Sequence, residues 1–262
     1  MIPKKIHYCW YGHQEYPELI STCIDSWTNH LKGYEFIRWD ESNTEFDNPW
    51  LKKALSEKKY AFVADYVRFR ALYIHGGIYL DTDMLLLKSL DPLLEHSCFA
   101  GFEDHTHINT AIIGVEPGHP LLQKILDAYT PLFGAKDFKV ITSVVTPIFQ
   151  EYMKELNPEK ISTYLGLTVY PPTYFYPVPY SEKNVLATFQ SYIGPNSYAA
   201  HLWYKSWYDE FSYFSIQEFR KGFRILFKKL KENPFQSFSY YRFLFFSLYT
   251  NYKKHLTRSE KK

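Results

Sequence analysis

An α/β sandwich built on a mostly parallel sheet is the fold class that the sequence predicts. Three observations predict it. Short apolar runs alternate with segments of helical period through roughly the first 130 residues. A Gly76-Gly77 pair stops the strongest helical segment directly before a strand. The 262 residues are 46% hydrophobic and 22% charged, the balance of a globular chain long enough for one large domain or two small ones.

The elements follow in order. Ile6 to Tyr11 reads as a buried strand closed by a turn at Gly12. Pro17 to Leu31 sets Leu19, Ile20, Cys23, Ile24 and Trp27 on one helical stripe. Tyr34 to Trp39 is a strand and Trp50 to Leu55 a short helix. Tyr60 to His75 is helical, dense in apolar positions such as Phe62, Val63, Val67 and Leu72. Ile78 to Leu80 is a strand; after Asp81-Thr82-Asp83 comes a second apolar run, Met84 to Leu87. Cys98 to Phe102 and Thr110 to Val115 are strands, and Pro120 to Tyr129 and Ser143 to Met153 are helices. Thr168 to Tyr180 is expected to be irregular, because its prolines and paired aromatics forbid a long helix. In such sheets ligands bind beyond the carboxyl ends of the strands. Trp10, the Asp81/Asp83 pair and Asn109 all fall at or near strand ends.

Composition excludes some functions and suggests others. Thirty Lys and Arg against 28 Asp and Glu give a net charge of +2, which argues against a dedicated nucleic-acid binder. Three scattered cysteines, Cys9, Cys23 and Cys98, form neither a disulfide framework nor a zinc site and suit a reducing compartment. No run of about 18 uncharged apolar residues predicts a membrane span, and no signal-peptide core follows the first residues. Aromatics reach 19%, and their flat faces suit sugars, bases and membrane interfaces.

The charge is unevenly spread. Residues 213–262 hold twelve Lys or Arg and three Glu, a net of +9, which leaves 1–212 at −7. The division predicts a main domain over 1–212 and a basic, aromatic, helical tail over 213–262. Phe219, Phe223, Leu226, Phe227 and Leu230 keep helical spacing among Arg220, Lys221, Arg224, Lys228, Lys229 and Lys231. A basic amphipathic helix of this kind reads as an element for an anionic membrane surface. The alternative is a helical pair packed on the core with solvated basic edges.

The acidic pair carries the chemistry. Two carboxylates at i and i+2 beyond a strand can turn to one side and hold a divalent cation, and hard oxygen ligands suit Mg²⁺ or Mn²⁺. Such an ion bridges the phosphates of a nucleotide and neutralises a diphosphate leaving group. The plainer alternative is a solvated turn. On the preceding helix Asp65 and Arg68, three apart, share a face. Their apolar surroundings predict burial or a cleft wall, where the pair must be satisfied by something. Sugar hydroxyls can do so, accepting from Arg and donating to Asp.

The segments Ile2-Pro3-Lys4-Lys5-Ile6-His7-Tyr8-Cys9-Trp10-Tyr11-Gly12, Ala64-Asp65-Tyr66-Val67-Arg68 and Leu72 to Asp83 together resemble glycosyltransferase family 32, the group with a DXD-containing sugar-binding region. The resemblance is specific over residues 2–120, recurs weakly at His201-Leu202-Trp203-Tyr204-Lys205-Ser206-Trp207, and does not extend to the tail. It implies a GT-A fold, a nucleotide-sugar donor (a UDP-sugar by family habit), a divalent metal and retention of anomeric configuration. By the same resemblance Trp10 stacks on the donor base, and Asp65 and Arg68 hold ribose or sugar hydroxyls. Tyr79 lines the nucleotide site. Asp81 and Asp83 face the sugar-ribose hydroxyls, the metal and the diphosphate, and Asn109 lies near the transferred sugar. His201 is a third metal ligand or diphosphate contact, and Trp207 reaches a phosphate through its indole N–H. Each residue has a structural alternative. Trp10 and His201 can be core residues, Asn109 a turn residue, and either Tyr79 or Leu80 faces the core.

The resulting expectation is a retaining transferase moving a galactose- or glucose-type hexose to a lipid-linked oligosaccharide in capsule or lipopolysaccharide synthesis. It would act in the cytoplasm, peripheral on the inner face of the cell membrane. A double displacement needs a carboxylate nucleophile, for which Glu103 and Asp104 are the candidates. Same-face attack, with the leaving phosphate taking the proton, needs none and is preferred for that reason. The other readings are a nucleotide-sugar hydrolase or phosphotransferase, and a non-catalytic sugar- or membrane-binding module.

Overall fold

The computed structural model describes residues 1–13, 15–135, 137–182, 185–204, 214, 219–232 and 238–259. Its strands are β1 Lys5–Cys9, β2 Glu35–Trp39, β3 Gly77–Leu80, β4 Met84–Leu86, β5 Cys98–Phe102, β6 Ile108–Val115, β7 Ser162–Tyr164, β8 Leu167–Tyr170 and β9 Ala199–His201. The first five α-helices are α1 Glu18–His30, α2 Pro49–Ser56, α3 Tyr60–His75, α4 Pro120–Tyr129 and α5 Ile141–Met153. The chain divides into two units, Met1–Tyr204 and Lys205–Lys262. This boundary lies slightly before the 212/213 division that charge suggests.

In the first unit seven strands form one sheet in the order β2-β1-β3-β6-β5-β8-β7. The pairs β2–β1, β1–β3 and β5–β8 are parallel, whereas β6 runs antiparallel to both β3 and β5, and β7 antiparallel to β8. Five strands therefore point one way, as the α/β reading expects. The reversal of β6 has a functional effect: its first residues, Ile108 and Asn109, lie at the edge where β1, β3 and β5 end. Asn109 is thus the second residue of a strand and not a turn residue.

Both sheet faces are covered, so β3 is buried at every position. Tyr79 packs into the cluster formed with α2, α3, α4 and α5, and Leu80 into the opposite cluster with Trp27 of α1, Met84 and Leu86. The choice between Tyr79 and Leu80 has no single answer, because each faces a core. Local chemistry sets the helix starts. Asn48 accepts a hydrogen bond from the Leu51 amide at 2.9 Å ahead of Pro49, and His119 caps α4 ahead of Pro120. At the end of α3, Gly76 has φ +61 and Gly77 φ +108, and a Cβ at Gly77 would stand 2.7 Å from the Lys5 carbonyl oxygen. Only glycine lets helix and strand join this closely to β1.

The segment 168–180 departs from its expectation. It opens within β8, which pairs with β5, and continues into a single helical turn at Pro172–Phe175. The prolines exclude a long helix but not a strand that ends before the first of them.

The second unit contains the helices Phe219–Glu232 and Phe238–Ser259, with Phe214, Leu226 and Leu244 at the centre of a small apolar cluster. Phe227, Phe245, Phe246 and Tyr249 are exposed. No helix among the described residues is long and apolar enough to cross a membrane.

Candidate active site

The site is built where two sheets meet. β3 ends at Leu80, and the chain turns through Asp81-Thr82-Asp83, with the Met84 amide donating to the Asp81 carbonyl at 3.0 Å. It then starts β4, which pairs only with β9, in a register that sets Met84 opposite His201. That pairing delivers His201 to Asp83. One donor atom from each of Asp81, Asp83 and His201 lies within 4.8 Å of the others.

Asp81 is fixed from beneath. Its amide donates to the Ala111 carbonyl at 2.7 Å, the Tyr79 hydroxyl donates to its Oδ1 at 3.0 Å, and the Arg68 guanidinium is 3.2 Å from the same oxygen. Arg68 is itself enclosed, with its side chain 7% exposed. It donates to Asp65 Oδ1 at 3.0 Å and to the Thr110 carbonyl at 3.2 Å, and its guanidinium lies 4.5 Å from the Tyr79 ring centre. Asp65 and Arg68 are therefore buried together, as the sequence predicts, and are engaged by each other and by Asp81. Burial pushes the Asp65 carboxyl up to about 7 against the pull of Arg68. Burial also raises the Asp81 carboxyl, again opposed by Arg68.

Asp83 behaves differently. Burial alone would raise it, but the charge and hydrogen bond of His201 and the Tyr204 amide outweigh burial and hold it below the usual carboxylate range. His201 Nε2 donates to Asp83 Oδ1 at 3.1 Å, and the Tyr204 amide donates to Oδ2 at 2.7 Å. Burial would lower His201, yet its aspartate neighbours raise it. His201 Nδ1 is buried without a hydrogen-bond partner among the described residues.

Two oxygen donors and one nitrogen, with an ionised aspartate and an unsatisfied imidazole nitrogen, fit a divalent cation of the Mn²⁺ or Mg²⁺ type. The ion itself supplies charge neutralisation for phosphate oxygens.

Asn109 reaches a different partner. Its Nδ2 donates to Glu103 Oε2 at 2.7 Å, and its Oδ1 accepts from the Ala111 amide at 2.7 Å. Glu103 is thus tied through Asn109 and Ala111 to the backbone of Asp81. Asp104 instead accepts from the amide and hydroxyl of Thr106 and contacts His107, within its own exposed turn. Trp10 follows β1, with its amide donating to the Trp39 carbonyl at 2.9 Å and its ring 5.0 Å from that of Tyr16, edge to face. Trp207 lies outside the described residues.

Sequence reasoning missed Trp203 and Tyr176. Trp203 has φ +51, donates to the Val178 carbonyl at 2.8 Å and packs its ring 3.9 Å from that of His201. A bulky residue in the left-handed region is uncommon, and here it sets the indole against His201. Only its place in the His201–Trp207 run hinted at it. Tyr176 is buried with its ring 5.9 Å from that of His201, and its hydroxyl donates to Asn109 Oδ1 at 3.4 Å. No local pattern singles it out.

This is an α/β fold on a mostly parallel seven-stranded sheet, with an acidic motif and a histidine at the carboxyl edge. Residues 17–100 match the glycosyltransferase sugar-binding region containing DXD motif, and residues 114–219 the alpha 1,4-glycosyltransferase conserved region. Both matched regions are glycosyltransferase regions, and the DXD motif of the first stands here as Asp81-Thr82-Asp83. It is similar to inositol phosphoceramide mannosyltransferase 3 of Schizosaccharomyces pombe, with 36% identity over 130 residues, covering 48% of this chain and 36% of that one. An uncharacterized glycosyltransferase, L373, of Acanthamoeba polyphaga mimivirus is 27% identical over 221 residues, covering 79% and 84%. Lactosylceramide 4-alpha-galactosyltransferase of Mus musculus is 29% identical over 156 residues, covering 55% and 41%. Among solved structures, PaToxG glycosyltransferase is 19% identical with a TM-score of 0.44, covering 57% and 70%. The chain spans about a third of the length of the mannosyltransferase.

Proposed function

We propose that this chain is a metal-dependent glycosyltransferase that moves a hexose from a nucleoside diphosphate sugar to a hydroxyl on a lipid-borne glycan or head group, with retention of configuration. The observation that carries the proposal is the Asp81–Asp83–His201 cluster at the carboxyl edge of the sheet. Two relatives, an inositol phosphoceramide mannosyltransferase and a lactosylceramide 4-alpha-galactosyltransferase, support a glycolipid acceptor. They favour a lipid head group over the capsule or lipopolysaccharide setting that family habit suggests. A UDP-sugar remains our reading of the donor.

Each residue has a task in this mechanism. Asp81, Asp83 and His201 would hold a divalent ion, which when bound would supply charge neutralisation for the diphosphate. Arg68 acts through Asp81, whose Oδ1 it holds, and Asp65 pairs with Arg68 in turn. Tyr79 supports both from below. Trp10 supplies a flat wall for the donor base, and the Asn109–Glu103 pair lines the edge where the sugar lies. Same-face attack places no carboxylate nucleophile under the anomeric carbon, so the acceptor proton passes to the leaving phosphate. Exposed aromatics beside basic residues of the tail, Phe227, Phe245, Phe246 and Tyr249, support docking on an anionic membrane surface. The three free, buried cysteines fit a cytoplasmic, peripheral location.

The test is turnover of the full chain with nucleotide sugars, Mn²⁺ and detergent-dispersed glycolipid acceptors, read by product mass and anomeric NMR. Asp83→Ala is expected to fold normally and lose turnover by about a thousandfold or more. Unchanged turnover in that variant, or sugar release to water alone with every acceptor, would overturn the proposal.

A further inference from the structure

Asp83 is gripped by one short stretch of chain. The Leu202 amide donates to its carbonyl at 3.1 Å, His201 Nε2 donates to its Oδ1 at 3.1 Å, and the Tyr204 amide donates to its Oδ2 at 2.7 Å. The β4–β9 register accounts for the first two contacts, since it pairs Met84 with His201 and so sets Leu202 beside Asp83. It does not account for the third. A strand continued at the same register would carry residues 203 and 204 past Thr82 and Asp81 and lay its backbone over the acidic turn. Instead the chain bends at Trp203, with φ +51, and the bend returns the Tyr204 amide to the Asp83 carboxylate.

A bulky side chain keeps such a backbone angle only where its surroundings over-determine it. Here the indole is the anchor. Its Nε1–H donates to the Val178 carbonyl at 2.8 Å, and its ring lies 5.2 Å from that of Tyr180, edge to face, and 6.2 Å from that of Tyr176. Val178 is buried in one apolar cluster with Ala200 and Leu202, so the anchor point belongs to the same core as β9.

The same indole meets His201, with ring centres 3.9 Å apart. Metal-binding histidines are commonly aimed by a hydrogen bond from the second ring nitrogen to a carboxylate, a carbonyl or water. His201 makes none to a group outside the cluster among the described residues: Nε2 is engaged with Asp83, and Nδ1 has no partner. Packing therefore sets the plane of the imidazole. Trp203 flanks it, and so does Tyr176, whose ring is 5.9 Å away and whose hydroxyl accepts from the Ile112 amide at 3.2 Å.

We infer that Trp203 is a positioning residue for the cation cluster: its anchored indole fixes the imidazole of His201 and, through the bend it stabilises, the carboxylate of Asp83, so that both are oriented before an ion arrives. The inference rests on the metal-dependent reading above and adds to it a residue that supplies none of the three donor groups. Loss of the indole leaves every donor group in the chain but frees two of them to rotate, so ion affinity falls although the ligand set is intact.

The experiment measures the Mn²⁺ dissociation constant of the full chain by electron paramagnetic resonance of the free ion. It is run in MnCl₂ alone and with UDP added, at a temperature where circular dichroism shows each variant folded. Trp203→Leu removes the flat ring and its N–H and is expected to weaken Mn²⁺ binding about tenfold or more, the usual cost of losing support behind a metal ligand. Trp203→Phe keeps a ring against His201 and should lose only about threefold. Trp203→Gly adopts the left-handed angle freely but has no anchor, and should bind as weakly as the leucine variant. A folded Trp203→Leu with the wild-type affinity would overturn the inference even if its melting point drops, because the indole would then be packing alone. Wild-type affinity in Trp203→Gly would overturn it as well, because the backbone angle would then suffice. Should the leucine and glycine variants fail to fold, Trp203→Phe decides: weakened binding supports the assignment and unchanged binding overturns it. A wild type that takes up Mn²⁺ in neither condition removes the metal-dependent reading together with this inference, whereas a binding wild type with unaffected variants removes this assignment alone.

Discussion

Replacing Arg68 with methionine tests the charge lock beneath Asp81. The substitution keeps much of the side chain's length but removes a guanidinium that contacts Asp65 at 3.0 Å, Asp81 at 3.2 Å and the Thr110 carbonyl at 3.2 Å. Breaking a buried pair by removing one partner costs about 3–5 kcal/mol, because the remaining charge is left uncompensated. Here Asp65 has an escape: its carboxyl is already pushed up to about 7, so it takes a proton once Arg68 is gone. The expected loss near neutral pH is therefore about 3 kcal/mol, the low end of that range. In a unit the size of Met1–Tyr204, this corresponds to a melting point lower by about 6–12 °C. The pH dependence has a definite sign. A carboxyl raised in the folded state stabilises most below its ordinary value of 3.8 and loses that stability as pH rises through its folded value. Wild type and variant share this loss up to about pH 7, where the wild-type Asp65 ionises beside Arg68 and the variant's does not, so the deficit of Arg68→Met should deepen above about pH 7. The double variant Asp65→Asn with Arg68→Met removes one stranded carboxylate and should recover about half of the loss. Calorimetry and urea unfolding read both. A loss under about 1 kcal/mol, or a double variant no more stable than the single, would refute the reasoning.

Two further outcomes can be checked. His7 is buried, accepts from the Trp39 indole at Nδ1 and donates from Nε2 to the Gly76 carbonyl, and burial lowers it from 6.5 to about 4. The fold should thus lose about 3 kcal/mol as pH falls from 6.5 to 4, and His7→Gln should flatten that part of a stability-versus-pH curve. Phe245, Phe246 and Tyr249 are 76%, 65% and 68% exposed. The full chain should float with phosphatidylserine vesicles but not with neutral ones, and serine at these three positions should weaken flotation about tenfold; equal flotation of both proteins would remove the membrane role.

Much of the site was legible in the sequence because it is local. The bounds of α3 follow from an apolar helix stopped by two glycines, and Asp65 and Arg68 share a face through simple helical geometry. Asp81 and Asp83 stand beyond an apolar strand, where an α/β sheet binds its ligands. What was not legible depends on contacts distant in the chain. Apolar periodicity gives a strand but not its direction, so the reversal of β6, which carries Asn109 to Glu103, could not be read. The contact of Arg68 with Asp81 could not be read either, because it depends on how the turn after β3 meets α3. Trp203 declares itself only through a backbone angle.

The pairing of β4 with β9 has a consequence for biosynthesis. Asp83 and its histidine partner are separated by 118 positions, so the two aspartates leave the ribosome long before the imidazole that completes their cluster. A nascent chain, or a proteolytic fragment ending ahead of Ala199, holds the acidic motif yet lacks its third donor. The cluster of Asp81, Asp83 and His201 is complete only in molecules translated through β9.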